Sequence, residues 1–238
     1  MAAIRSERIS LEIIACSVED ARNAEAGGAD RLEIVRDIDS DGLTPTIDLV
    51  EKIRHAVSIP LHVMIRSHDS FSDFSAREID QMQKECRAFE KVGVAGVVLG
   101  FLSRDGEIDF ETMRRVLDGT TNLSITFHRA FDRVRELQRA AKELIKLQVV
   151  DRILTSGGAS SASEGKEVLA KLERLANGHV TLIAGGGVTA ANLPLLVRYT
   201  GIREFHVGRG VRTPPTHEGI VDPERVFHLA TVAKTVIQ

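Results

Sequence analysis

The sequence predicts an α/β fold, a single (β/α)8 TIM barrel over residues 1–238, and three observations predict it. Short runs rich in Ile, Val and Leu alternate from end to end with longer segments of helical periodicity, a pattern that demands parallel strands with right-handed crossovers. The strand-like runs number eight, and 238 residues is close to the roughly 250 this barrel usually takes. An open doubly wound sheet fits the alternation too, but the eight strands and a hint of duplication favour closure. Ala29-Asp30-Arg31-Leu32 before the second strand echoes Val150-Asp151-Arg152-Ile153 before the sixth, with Asp151 lying 121 residues after Asp30, about half the chain.

The strands are expected at 9–15, 31–35, 61–65, 96–99, 123–127, 152–154, 180–184 and 203–207. Helix starts are marked by capping boxes, Ser75 with Glu78 and Ser161 with Glu164. Thr44-Pro45 and Asp222-Pro223 each place a capping side chain before a proline at the first helical position, where a missing N–H costs nothing. Gly27, Gly93, Gly119, Gly178 and Gly201 fall where helices should stop.

Composition excludes several function classes. With 43% hydrophobic residues, 27% charged residues and a net charge of −3, the chain can bury a full core but has no basic excess for nucleic acid. No apolar run approaches the ~20 residues of a membrane helix. The stretch 1–10, with Arg5, Glu7 and Arg8, lacks a signal core. Cys16 and Cys86 form neither a disulfide framework nor a zinc spacing, so the cytoplasm is the expected compartment. The helical outer faces leave room for a homo-oligomer, with no diagnostic stripe.

Alternation within each strand sorts side chains between the helices and the barrel interior. If Leu11, Ile13 and Ala15 face the helices, then Ser10, Glu12, Ile14 and Cys16 face inward. The same test turns inward Glu33 and Val35, then His62, Met64 and Arg66, then Thr126 and His128, then Glu204 and His206. Five charged or titratable groups from five strands (Glu12, Glu33, Arg66, His128 and His206) thus converge, mostly near the strand C-termini where barrels carry their active sites. The alternative is an internal salt bridge from Glu12 or Glu33 to Arg66. His62 and Glu204 lie lower and read as structural, while His55, His179 and His228 read as solvated.

The run Thr126-Phe127-His128-Arg129-Ala130-Phe131-Asp132 resembles the characteristic motif of the CutC family, named for copper homeostasis. Leu11-Glu12-Ile13, the run from Gly27 to Glu33, Gly42-Leu43-Thr44-Pro45, Met64-Ile65-Arg66, Leu154-Thr155-Ser156-Gly157 and Glu204-Phe205-His206 are similar to it in order and spacing. The resemblance implies a (β/α)8 barrel, a cytoplasmic location and a part in copper handling. It also implies a cysteine two residues after each of the first two strand glutamates, and here those positions are Ile14 and Val35. Cu(I) prefers soft thiolate or thioether ligands, which leaves Cys16, if copper binds, and Met64. After the third strand, the family's Arg-Pro-Arg-Gly-Gly-Asp-Phe is replaced by the run from Arg66 to Phe74, and the stretch after the eighth strand is shorter than usual.

Two glycine-rich turns, Gly185-Gly186-Gly187 and Gly208-Arg209-Gly210, follow the seventh and eighth strands, where barrels commonly bind phosphate. Glycines let backbone N–H groups approach an anion, so Gly186, Gly187, Gly208 and Arg209, with Arg212 and with Gly157 after strand six, are expected to bind one; tight turns alone also call for glycine. Facing them, Glu33 is expected as a base, His128 as an acid, Glu12 and Asp132 as positioning groups, and Arg66 as the partner of a carbonyl or carboxylate. The first reading is therefore an isomerase, epimerase or lyase acting on a small anionic, phospho- or sugar-derived molecule. In a metal-assisted variant, His206 with Glu12, Glu33 and His128 would bind Mn2+ or Zn2+. Non-catalytic Cu(I) binding and a ligand-sensing barrel are the other readings.

Overall fold

The structure, a computed structural model, describes residues 8–236; residues 1–7 of the stretch read as lacking a signal core lie outside the described residues. Eight parallel strands close into a barrel in chain order: β1 (Ser10–Ala15), β2 (Arg31–Ile34), β3 (Leu61–Met64), β4 (Gly96–Leu99), β5 (Ser124–Phe127), β6 (Arg152–Thr155), β7 (Thr181–Ala184) and β8 (Glu204–Val207). Between and after them run α1 (Val18–Gly27), α2 (Ile47–Ala56), α3 (Ala76–Val92), α4 (Phe110–Leu117), α5 (Leu137–Leu147), α6 (Lys166–Ala176), α7 (Leu193–Thr200) and α8 (Pro223–Thr235). A small antiparallel pair, β9 (Arg212–Thr213) and β10 (Ile220–Val221), precedes α8. No helix among the described residues is long and apolar enough to cross a membrane.

The main core lies between strands and helices. Leu11, Ile13, Leu32, Ile34, Val63 and Phe205 on the strands are fully buried, as are Ala21, Val50, Met82, Phe89 and Leu193 on the helices. Each large apolar side chain so buried contributes about 1.5–3 kcal/mol. Cys86, on α3, belongs to this layer and is a free thiol.

Local signals placed some helix ends and not others. Ser75 and Glu78 form the full capping box of α3, Asp222 caps α8, and Gly93 ends α3 in the left-handed conformation. Two expected N-caps are displaced, and α1 runs through Gly27 to a left-handed cap at Gly28. Thr44 is buried, its hydroxyl accepting from the N–H of Arg66 at 2.8 Å, and Thr46 caps α2 instead. Ser161 accepts from the N–H of Glu164 but only closes a turn; α6 begins at Lys166, because the 156–165 segment first folds back on the barrel rim.

Inside the barrel the lower layer is ionic. Arg31 lies 2.6 Å from Glu12 and 2.9 Å from Glu204, and Arg152 lies 3.2 Å from Glu204. Glu12 therefore pairs with Arg31 rather than Arg66, and parallel register sets Glu12 beside both Arg31 and His206. His62 shares this layer, and Gly96 opposite it leaves the room: a Cβ there would sit 3.1 Å from its Nε2. The duplicated Asp-Arg pairs do the same work in both halves. Asp30 accepts from the N–H of Leu11 at 2.9 Å and Asp151 from that of Ile125 at 2.7 Å, each tying down the neighbouring strand's start, while Arg31 and Arg152 meet on Glu204.

Candidate active site

A cavity of about 330 Å³ opens at the C-terminal end of the barrel. Its walls include Glu33, Arg66, His128 and His206 from four strand ends, and Gly186, Gly187, Gly208, Arg209 and Gly210 from the last two turns.

Glu33 and His206 are the charged pair at its base. The Nε2 atom of His206 lies 3.7 Å from Glu33, and its Nδ1 lies 2.8 Å from Glu12. Burial alone would raise the Glu12 carboxyl, but Arg31 and His206 outweigh it and hold it well below the usual range. Burial pushes Glu33 up, His206 pulls it back and the charge of Glu12 adds to the rise, leaving it at about 7. For His206 the order inverts: burial lowers it, and Glu33 and Glu12 together carry it above its ordinary value. Glu12 lies beneath the cavity wall, a positioning group for His206. Glu33 keeps one buried oxygen, Oε1, with no partner among the described residues.

His128 follows β5 and turns into the cavity, where Gly100 makes room: a Cβ there would lie 2.6 Å from its Nδ1. That Nδ1 accepts from the N–H of Ala130 at 3.2 Å, which leaves the ring proton on Nε2. Burial, with Arg66 adding to it, pushes His128 down to about 3, so the ring is neutral near pH 7. Its Nε2 has no partner among the described residues. Arg66 stacks 4.5 Å from the Phe71 ring centroid and donates to the carbonyls of Ser40, Gly42 and Asp69. It thereby staples the loops after β2 and β3, and its buried Nε has no partner among the described residues.

Asp132 and Gly157 lie outside the cavity wall. Asp132 accepts from the N–H groups of Ser156 and Gly158, at 3.0 and 2.9 Å, and from the hydroxyls of Thr155 and Ser156. Gly157 is held in that bracket at φ 76°, where a Cβ would meet the carbonyl oxygen of Gly165 at 2.7 Å. Asp132 also pairs with Arg129 at 2.9 Å and so aims a cation into the cavity wall that sequence reasoning passed over, although it stands beside His128. Asp132→Asn is expected to cost about 1.5–3 kcal/mol of stability, measured by urea denaturation, because charge-assisted bonds to buried backbone N–H groups are lost.

Gly186 and Gly187 take positive φ values of 92° and 74°, and the N–H groups of Gly186, Gly187 and Val188 make no hydrogen bond within the described residues. Arg209 is exposed at the rim of the cavity. Arg212 is not available there: it is buried, 3.0 Å from Asp20, and donates to the carbonyls of Ile14 and Gly219. Donor atoms of Glu12, Glu33 and His206 lie within 4.8 Å of one another, and His128 is not in that group.

Ile14 and Val35 line the cavity with Met64, and Cys16 packs behind them, off the wall. Burial pushes the Cys16 thiol up to about 11 despite the nearby Arg212. His217, also missed in the sequence, reaches the cavity from the loop before β10 and pairs with Asp39 of the loop after β2.

The CutC family model matches residues 9–211. A family protein CutC of Xanthomonas axonopodis pv. citri is 38% identical over 218 residues, covering 90% of each chain. A human protein called copper homeostasis protein cutC homolog is 38% identical over 196 residues, 82% of this chain and 71% of that one. The crystal structure of CutC from Streptococcus agalactiae superposes with a TM-score of 0.78 at 26% identity, over 84% of this chain and 98% of that one. With the motif of β5, the barrel and these relatives in agreement, the chain belongs to the CutC family.

Proposed function

We propose that this protein is an enzyme that moves a proton at a carbon beside a carbonyl in a small anionic molecule, an isomerase, epimerase or lyase. One observation carries the reading: Glu33 Oε1 and His128 Nε2 are buried, lack partners among the described residues and belong to the wall of one cavity. Leaving such atoms unpaired costs about 1–3 kcal/mol each, a cost that a ligand bonding to both would offset. As a carboxylate, Glu33 takes the proton from carbon, and the C–H electron pair forms the enolate C=C as the carbonyl's π electrons move to oxygen. The neutral His128 stabilises that oxyanion by a hydrogen bond from Nε2–H, keeping its proton. Return of the proton to another carbon or another face completes isomerisation or epimerisation. The anionic end of the substrate rests on the N–H groups of Gly186, Gly187 and Val188, with Arg129 and Arg209 nearby. The test is proton NMR in D2O with acetol phosphate, which carries one carbonyl and one phosphate. Catalysed loss of the signals beside the carbonyl supports the reading; no exchange with this probe or a panel of small anionic ketones and aldehydes overturns it.

A second reading adds a divalent ion, on the grouping of Glu12, Glu33 and His206. Because Arg31 and His206 already occupy Glu12, it would orient His206 from behind, leaving Glu33 and His206 as the open donors. These hard oxygen and imidazole donors suit Mn2+ or Zn2+. For Cu(I) the donor set fits poorly: Cys16 is a lone thiol held protonated, and Ile14 and Val35 carry no donor atom. Titration of the reduced protein against a calibrated Cu(I) chelator is therefore expected to show no tight stoichiometric site. Tight binding lost in Cys16→Ser would restore a copper role. Uptake of Mn2+ or Zn2+ lost in His206→Ala would favour the metal-assisted form. We place the protein in the cytoplasm, where its two free thiols would stay reduced.

A further inference from the structure

We infer that the substrate of this site has a hydrocarbon body, not a hydroxylated sugar chain, between its anionic group and its carbonyl. This rests on the reading of the cavity as an enzyme site and narrows it to a substrate class. The observation is which side chains line the cavity and which do not. No Ser, Asn, Gln or Tyr is among the described lining residues, and Thr189 supplies their one side-chain hydroxyl. Of the other polar groups, Asp41 and Arg209 are exposed, while Arg129 and His217 are paired with Asp132 and Asp39. Thr189 is tied to Asn192, its N–H donating to the Asn192 side chain at 2.8 Å and its hydroxyl accepting from the N–H of Asn192 at 3.4 Å.

Between the anion turns and the catalytic pair the wall is apolar. Ile14, Val35 and Met64 continue from β1 across β3, with Leu154 and Phe71 completing the enclosure. Val35, Met64 and Val98 form an apolar cluster of their own inside the barrel, separate from the core under the helices, with Ile14 packed against it. The turn after β8 abuts this surface directly, since a Cβ on Gly208 would lie 3.0 Å from Ile14 Cδ1. Closer to the base, the buried side-chain atoms of the wall without a partner among the described residues are Glu33 Oε1, Arg66 Nε and His128 Nε2. They match one carbonyl and the carbon acid beside it, with one donor to spare. A sugar hydroxyl set against Ile14, Val35 or Met64 would be stripped of water against methyl and methylene groups and left unpaired. The two positions where the family resemblance expects cysteines, Ile14 and Val35, are thus part of the specificity surface of this chain.

A matched pair of ligands tests this: propyl phosphate and glycerol 3-phosphate, which differ by two hydroxyls. Isothermal titration of the full chain, with inorganic phosphate as reference, is expected to show propyl phosphate binding tighter by about tenfold or more. Val35→Thr, which puts a hydroxyl into the wall, should narrow the ratio several-fold without changing affinity for inorganic phosphate. Glycerol 3-phosphate binding as tightly as propyl phosphate, or tighter, would overturn the inference and leave the acid–base reading standing. Binding of neither ester, nor of phosphate, would overturn both the inference and the anion-binding reading beneath it.

Discussion

Glu33→Gln is expected to slow proton exchange beside the carbonyl by about 10²–10⁴-fold while leaving the barrel folded, because the amide has no basic oxygen to take a proton from carbon. Gln is close in shape, and the group it replaces is buried with one partnerless oxygen, so the loss is chemical rather than structural. The wild-type pH profile supplies an independent sign. Burial leaves Glu33 at about 7, and the reactive form is the carboxylate, so the exchange rate should climb with pH and level off above about 7. His206 lies 3.7 Å from Glu33, so its charge sets where that inflection falls. In His206→Gln the cation that pulls Glu33 down is gone, so the inflection should move to higher pH. An unshifted profile, or a rate that falls as pH rises through 7, would remove Glu33 as the base.

Arg31→Met is expected to give the largest loss of stability, about 3–5 kcal/mol, seen as a thermal midpoint lowered by roughly 10 °C or more. Met keeps most of the volume and removes the charge. Among the described residues Glu12, 1% exposed, then retains only His206 as an ion-pair partner, and Glu204 only Arg152. Removing one member of a buried pair leaves its partner's charge without compensation, which costs far more than the pair contributes when intact. Lys52→Ala is the control: its 2.6 Å pair with Asp48 has both side chains more than half exposed, and the midpoint should barely move. Equal effects of the two substitutions would show that the lower layer is not held by this network.

Much of this was written in local patterns. Strand alternation turned Glu12, Glu33, His128 and His206 inward, because parity along a strand needs no knowledge of its neighbours. The same parity turns Arg31 inward, two residues before Glu33, and it was missed because a charged residue at the start of a strand resembles a solvated boundary. The capping box at Ser75 is local in the same way. Thr44 and Ser161 carried equally good cap signals and were claimed by other partners, Thr44 by the backbone of β3 and Ser161 by a turn in the folded-back rim segment.

What the sequence by itself determined is the barrel, the family and the inward direction of the titratable groups, since periodicity and motif spacing are properties of short stretches. What only the tertiary structure decided is which inward groups meet. Glu12 finds Arg31 and, 194 residues away, His206; Arg66 spends its charge on loop carbonyls; Asp132 brackets the turn after β6 and aims Arg129. Depth within a closed barrel depends on the stagger of every strand against its neighbours, so whether an inward carboxylate joins the ionic floor or the cavity above it cannot be read from its own strand. That stagger separates Glu12, held ionised by Arg31, from Glu33, buried with an oxygen to spare.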